Sequence, residues 1–119
     1  MDTSETIARI IDALSGVYYL FDDERDIHEG IKEALLANGL TPNHEVVSSP
    51  RSRFDFLVSG IVIEVKVRGT YAAALAQCKR YAGRPEVHGV ILAATCSWVD
   101  EVDPPEELNE KPFEVVALT

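Results

Sequence analysis

The stretch "FDFLVSGIVIEVKV", residues 54–67, decides how this chain is read. Two runs of β-branched and aromatic residues flank Ser59-Gly60, which suits the tip of a two-residue β-hairpin. Strand alternation sends Ile61, Ile63, Val65 and Val67 to one face and Val62, Glu64, Lys66 and Arg68 to the other. On the preceding strand it separates Phe54, Phe56 and Val58 from Arg53, Asp55 and Leu57. With the tip at Ser59-Gly60, Val58 faces Ile61, Phe56 faces Ile63 and Asp55 faces Glu64. A four-residue loop keeps that register, whereas a three-residue bulged loop shifts it. Two carboxylates then stand with Cβ atoms about 4.5–5.5 Å apart. Opposed like charges are destabilising, and partial burial makes them more so. A hard divalent cation such as Mg²⁺, which takes carboxylate oxygens, would offset that cost. Lys66 adds positive charge beside it. Taken alone, Glu64 and Lys66 read as incidental charges on a solvated strand; Asp55, in register on the partner strand, argues for a site.

The flanking sequence supplies the rest of an α/β domain. "TSETIARIIDALSG" predicts a first helix, with Thr3 or Ser4 as cap, a stripe of Ile7, Ile10, Ile11 and Leu14, and Gly16 at its end. Tyr18, Tyr19 and Phe21 follow as a bulky link that packs in a core or interface, or forms an aromatic platform. "DDERDIHEGIKEALLANGL" predicts a second helix, capped by Asp22 or Asp23, buried along Ile27, Ile31 and Leu35, and stopped at Gly39. "HEVVSS" reads as a strand before the hairpin. "TYAAALAQCKRYAG" reads as an Ala-rich helix ending at Gly83. "VHGVILAAT" reads as a central strand covered on both faces. An acidic, Pro-containing loop and a last strand, "FEVVALT", close the chain.

Residues 1–119 therefore form one domain with a mixed sheet and helices on both faces. The net charge of −9 argues against a broad basic nucleic-acid surface. The acidity is concentrated in residues 22–26 and 100–110, leaving a locally basic middle with Arg51, Arg53, Arg68, Lys79 and Arg80. Cys78 and Cys96 lack metal-type spacing and read as free thiols. No apolar run is long enough for a membrane span, and no signal peptide is expected. A cytoplasmic protein with neither membrane nor small organic cofactor follows as the expectation.

Asp55 followed by Glu64 and Lys66 in "IEVK" resembles the PD-(D/E)xK nuclease superfamily. The resemblance covers a core of about residues 22–96, with 1–21 as an added helix and 97–119 as a loop and final strand. Phe54 stands where the motif's name has Pro. "QCKRY" supplies Gln77 and Tyr81, similar to the QxxxY motif of the RecB-like branch, and spacing by four puts both on one helix face. The run from "DERDIHEGIKEALL" to "VILAAT" also looks like small nucleases of phages and prophages, which would work in the host cytoplasm.

The resemblance implies a restriction-endonuclease-like sheet with an α-β-β-β-α-β core. It implies Mg²⁺ or Mn²⁺ held by Asp55, Glu64 and the Val65 carbonyl, with Lys66 positioning the attacking water. The family often adds an acid from the helix before the meander. Helical phase favours Glu24, which extends the Ile27, Ile31 and Leu35 stripe, over Glu29 and Glu33. Gln77 and Tyr81 would orient the site, while Arg51, Arg53, Arg68, Lys79 and Arg80 are candidates for phosphate contact. The expected partner is nucleic acid, DNA foremost. The expected activity is endonucleolytic and structure-selective in the manner of junction resolvases. The expected assembly is a homodimer, with the Ile7 to Leu14 face, together with Tyr18 and Tyr19, as a dimer surface. The alternatives are a non-catalytic nucleic-acid-binding or partner-binding module on the same fold, and an acidic DNA mimic. His28 shares a helix face with Glu24 and reads as partly buried or supporting; His44 and His88 are not spaced with other ligands.

Overall fold

The computed structural model describes residues 2–15, 23–49 and 52–118, excluding the side chains at 48, 49 and 52. Gly16, Tyr18, Tyr19, Phe21, Asp22 and Arg51 lie outside the described residues. Among the described residues three α-helices, α1 (Thr3–Ser15), α2 (Glu24–Ala37) and α3 (Tyr71–Ala82), flank a six-stranded sheet. The strands are β1 (Asn43–Ser49), β2 (Ser52–Val58), β3 (Ile61–Lys66), β4 (Gly89–Ala94), β5 (Glu107–Leu108) and β6 (Lys111–Ala117). Their spatial order is β1-β2-β3-β4-β6-β5. The β1-β2-β3 run is an antiparallel meander, whereas β3, β4 and β6 are mutually parallel neighbours. No helix among the described residues is long and apolar enough to cross a membrane.

Local chemistry sets the element ends. Asp2, rather than Thr3 or Ser4, caps α1 by accepting from the Glu5 amide at 2.8 Å. An ionised carboxylate also suits the positive end of the helix, and that end is open to it. Asp23 caps α2 and Thr70 caps α3, each through its side chain. At the hairpin tip Ser59 and Gly60 both have positive φ, 49° and 84°, as a type I′ turn requires.

The sheet divides two cores. Ile7, Ile10 and Leu14 of α1 and Ile27, Ile31 and Leu35 of α2 pack on Phe56, Ile61, Ile63 and Val65. The α1 stripe read as a dimer surface is thus spent inside the chain, because the sheet's second face is apolar and needs covering. On the other side α3 lays Ala74, Cys78 and Tyr81 over Phe54, Val62, Val90 and Leu92. All six residues of β4 are buried, as a strand covered on both faces demands.

One expectation about β2 fails in an informative way. Phe54, Phe56 and Val58 were expected on one face, yet Phe54 packs on the α3 side and Phe56 and Val58 on the α1/α2 side. The strand turns over at Asp55. Opposite, Glu45 adopts φ 54°, and the β1–β2 pairing runs from His44↔Phe56 to Val46↔Phe54 with no ladder pair between Glu45 and Asp55. A non-glycine residue in the left-handed region locally breaks strand periodicity. β2 also leaves β3 here, since their ladder ends at Phe56↔Ile63. The result is a fork in the sheet.

Candidate metal centre

Asp55 sits at the mouth of the fork. Where a strand turns over, the intervening side chain lies edge-on instead of on a face. The Asp55 Oδ2 accordingly takes the Val65 amide at 2.8 Å, the amide a continuing β2–β3 ladder would have paired with Phe54. An N–H and C=O of one strand residue point to the same side, so the Val65 carbonyl also faces the gap left by β2. The neighbouring Lys66 carbonyl points the other way and accepts from the Thr95 amide at 3.0 Å.

Glu64 enters the same space from β3. It is only 3% exposed, and its Oε1 has no hydrogen-bond partner. Burial, then the charge of Asp55, pushes its carboxyl up to about 8. Lys66 pulls in the opposite direction, with Nζ 3.5 Å from Glu64 Oε2. The two opposed carboxylates, the Val65 carbonyl and the ammonium therefore share one locality. It opens into a cavity of about 590 Å³ that Glu24, Gln77 and Tyr81 also line.

Glu24 reaches the rim from the first turn of α2 and is half-exposed, whereas Glu29 and Glu33 point to solvent. One turn further, His28 is buried and projects between the acids. Its Nε2 is 3.6 Å from Glu24 Oε1 and 4.0 Å from Asp55 Oδ2, with no hydrogen-bond partner of its own. Ligand atoms of Glu24, His28 and Asp55 lie within 4.8 Å of one another, so the three could hold one ion. On the far wall Tyr81 donates to the Arg53 carbonyl at 2.9 Å and accepts from Gln77 Nε2. Gln77 and Tyr81 thus form a brace that ties α3 to β2 beside the fork. Burial, and next the charge of Glu64, raises the Tyr81 hydroxyl above its ordinary range, so it remains a neutral donor. Cys78, behind Glu64, is likewise pushed up to about 12, chiefly by burial, and is unreactive as a thiolate.

The expected phosphate contacts are spread out. Arg53 lines the cavity mouth and pairs with Glu45 at 2.8 Å. Arg68 is exposed just beyond β3, and Arg80 is exposed on α3. Lys79 lines a different cavity, with Gly83, Leu108 and Asn109. Sequence reasoning misses Arg25 and His44 and places His28 only by the helix face it shares with Glu24. Arg25 lines the mouth. His28, four residues from Glu24, stands within 4.0 Å of both Glu24 and Asp55. His44 is not spaced with other ligands in the sequence, yet its Nε2 lies 2.8 Å from His28 Nδ1. Only tertiary pairing of β1 with α2 could reveal it.

The geometry defines a class: an α/β domain whose sheet fork gathers two carboxylates, a carbonyl and a lysine at one polar cavity. Searched against protein families, curated proteins and solved structures, the chain matches none of them.

Proposed function

We propose that the protein is a divalent-metal-dependent nuclease with a restriction-endonuclease-like fold of the PD-(D/E)xK type, acting as a DNA endonuclease. The observation that carries this reading is the meeting of Asp55 and buried Glu64 with Lys66 at the fork. The order of elements from α2 through the β1-β2-β3 meander, α3 and the parallel β4 supports it.

The donor set fits Mg²⁺ or Mn²⁺. A buried carboxyl oxygen without a partner, a second carboxylate beside it and a carboxyl pushed up to about 8 together describe a site short of positive charge. Oxygen donors of this kind are what hard cations take. Asp55, Glu64 and the Val65 carbonyl would hold the ion, and Glu24 and His28 Nε2 form with Asp55 a second ligand group on the same cavity wall. Once bound, the ion would polarise the scissile phosphate and stabilise the departing oxygen.

The chain's own residues do the rest. The Lys66 ammonium, standing over Glu64, orients a water for attack on phosphorus and neutralises charge that grows on the phosphate oxygens. The water oxygen joins phosphorus as the P–O bond to the departing oxygen breaks, the water giving up a proton to solvent and the departing oxygen taking one from it. The Gln77–Tyr81 brace fixes the backbone of Arg53, and Arg53 and Arg25 at the mouth meet neighbouring phosphates. By formal charge the lining has four acids (Glu24, Glu45, Asp55, Glu64) and three bases (Arg25, Arg53, Lys66). A divalent ion turns that balance from −1 to +1, which favours a polyanion only in the loaded state. One short chain covers little duplex, so the proposal includes a homodimer formed through a surface other than the α1 stripe.

The test is cleavage of labelled single-stranded, duplex, flap, splayed-arm and four-way-junction DNA with Mn²⁺. Loss of cleavage in Asp55→Ala and in Lys66→Ala is expected. Unchanged rates in both would refute the assignment, and cation-dependent binding without cleavage would indicate a non-catalytic module.

A further inference from the structure

His44 looked solitary in the sequence, yet three features of the structure converge on its ring. Its Nε2 lies 2.8 Å from Nδ1 of His28. Its ring stacks on Phe56, with centroids 4.6 Å apart and planes 10° from parallel, which fixes its orientation. It is also turned toward α2 by the backbone reversal at Glu45. On a regular strand His44 and Val46 would share a face; here Val46 packs on the α3 side while His44 lies against Phe56 and His28. The left-handed Glu45 conformation costs about 1–2 kcal/mol, and its visible consequence is the placement of this ring.

The chemistry of the pair follows from one proton. Two ring nitrogens at 2.8 Å hold a single hydrogen between them. If that hydrogen sits on His44 Nε2, neutral His28 must carry its own on Nε2, blocking the nitrogen that faces Glu24 and Asp55. If it sits on His28 Nδ1, His28 Nε2 is a bare lone pair aimed at the carboxylates. A carbonyl or carboxylate partner could only accept. A neutral imidazole can do either, so the pair exchanges one arrangement for the other with no change in its total protons or charge. His28 Nε2, buried and without a hydrogen-bond partner, is the atom this choice controls.

We propose that His44 is a positioning residue: it accepts the Nδ1 hydrogen of His28 and so presents the His28 Nε2 lone pair to the cation site at Glu24 and Asp55. This rests on the metal-dependent reading above and adds a nitrogen donor with its own supporting partner. Partners of this kind, one step back from a ligating histidine, typically change metal affinity about 10–100-fold when removed.

The experiment has two arms, neither of which needs turnover. Calorimetric titration with Mn²⁺ alone compares the intact protein with His44→Phe, which keeps a ring on Phe56, and with His44→Gln, whose amide oxygen can accept. We expect affinity about 10-fold or more weaker in His44→Phe and largely restored in His44→Gln. Melting in chelator keeps track of folding in both variants. In the second arm, long-range ¹⁵N–¹H spectra of histidine-labelled protein with Zn²⁺, a diamagnetic probe, should show ligated His28 Nε2 and a proton on Nδ1. Equal Mn²⁺ affinity in a folded His44→Phe overturns the role of His44 while leaving the metal site intact. No Mn²⁺ binding by the intact protein overturns both readings. Ligation of His28 Nδ1 together with His44 Nε2 would mean that the ion sits on the His44–Glu45 side, and would also overturn the proposal.

Discussion

Replacing Glu64 by Gln should make the metal-free protein more stable, although Glu64 is one of its most buried polar residues. The carboxyl is held up at about 8 against an ordinary 4.5, by burial first and Asp55 second. Between those two values the folded chain binds a proton that the unfolded chain has released. Stability therefore falls as pH rises through this window, is lost in full above about 8, and is unaffected below about 4.5. At about 1.4 kcal/mol per pH unit, the whole window sets a ceiling on the order of 5 kcal/mol. Solvent at the cavity mouth and relaxation of Lys66 screen much of that, and about 2 kcal/mol is the expected effect. Gln has the shape of the protonated acid, so Glu64→Gln and the parent should melt together near pH 4.5. At pH 8.5 in chelator the variant should melt higher, by about 8 °C for a chain of this size. Mn²⁺ should then raise the melting temperature of the parent and leave the variant nearly unmoved. A variant that melts lower at every pH, or a parent with no fall in stability across the window, would refute the reasoning.

Other consequences are equally direct. Tyr81→Phe leaves the Arg53 carbonyl and Gln77 amide without their shared hydroxyl, and should cost about 1–2 kcal/mol in denaturant unfolding. Ser59→Asn keeps the type I′ tip with a residue that accepts positive φ more readily, and should add about 0.5–1 kcal/mol in the same measurement. Neutralising the fork with Asp55→Asn and Glu64→Gln together should strengthen DNA binding several-fold in chelator at pH 8.5, where the Glu64 carboxyl is ionised, read by fluorescence anisotropy, because the mouth no longer repels phosphate. That double variant should remain inactive with Mn²⁺.

What the sequence revealed was local. The Asp23 cap, the Ile27, Ile31 and Leu35 stripe and the Ser59-Gly60 tip depend on neighbours a few residues away, and all three stand in the structure. The pairing of Val58 with Ile61 and of Phe56 with Ile63 was legible for the same reason, because a two-residue turn fixes register, but that ladder stops one residue short of the expected Asp55 and Glu64 pair. The reversal at Asp55 was not, because it depends on the backbone of Glu45 in the next strand. His44 was hidden similarly, since nothing in its own segment announces a ring on α2. The α1 stripe shows the limit of periodicity: Ile7, Ile10 and Leu14 signal burial, but a helical pattern is the same whether the covering surface is the chain's own sheet or a second copy.

A divalent ion between Asp55 and Glu64 is what the proposed nuclease requires of the forked strands. Anomalous diffraction from crystals grown with Mn²⁺ tests it most directly. A peak bridging those two carboxylates beside the Val65 carbonyl is the predicted result; an empty fork at saturating Mn²⁺, with both side chains ordered, would contradict it.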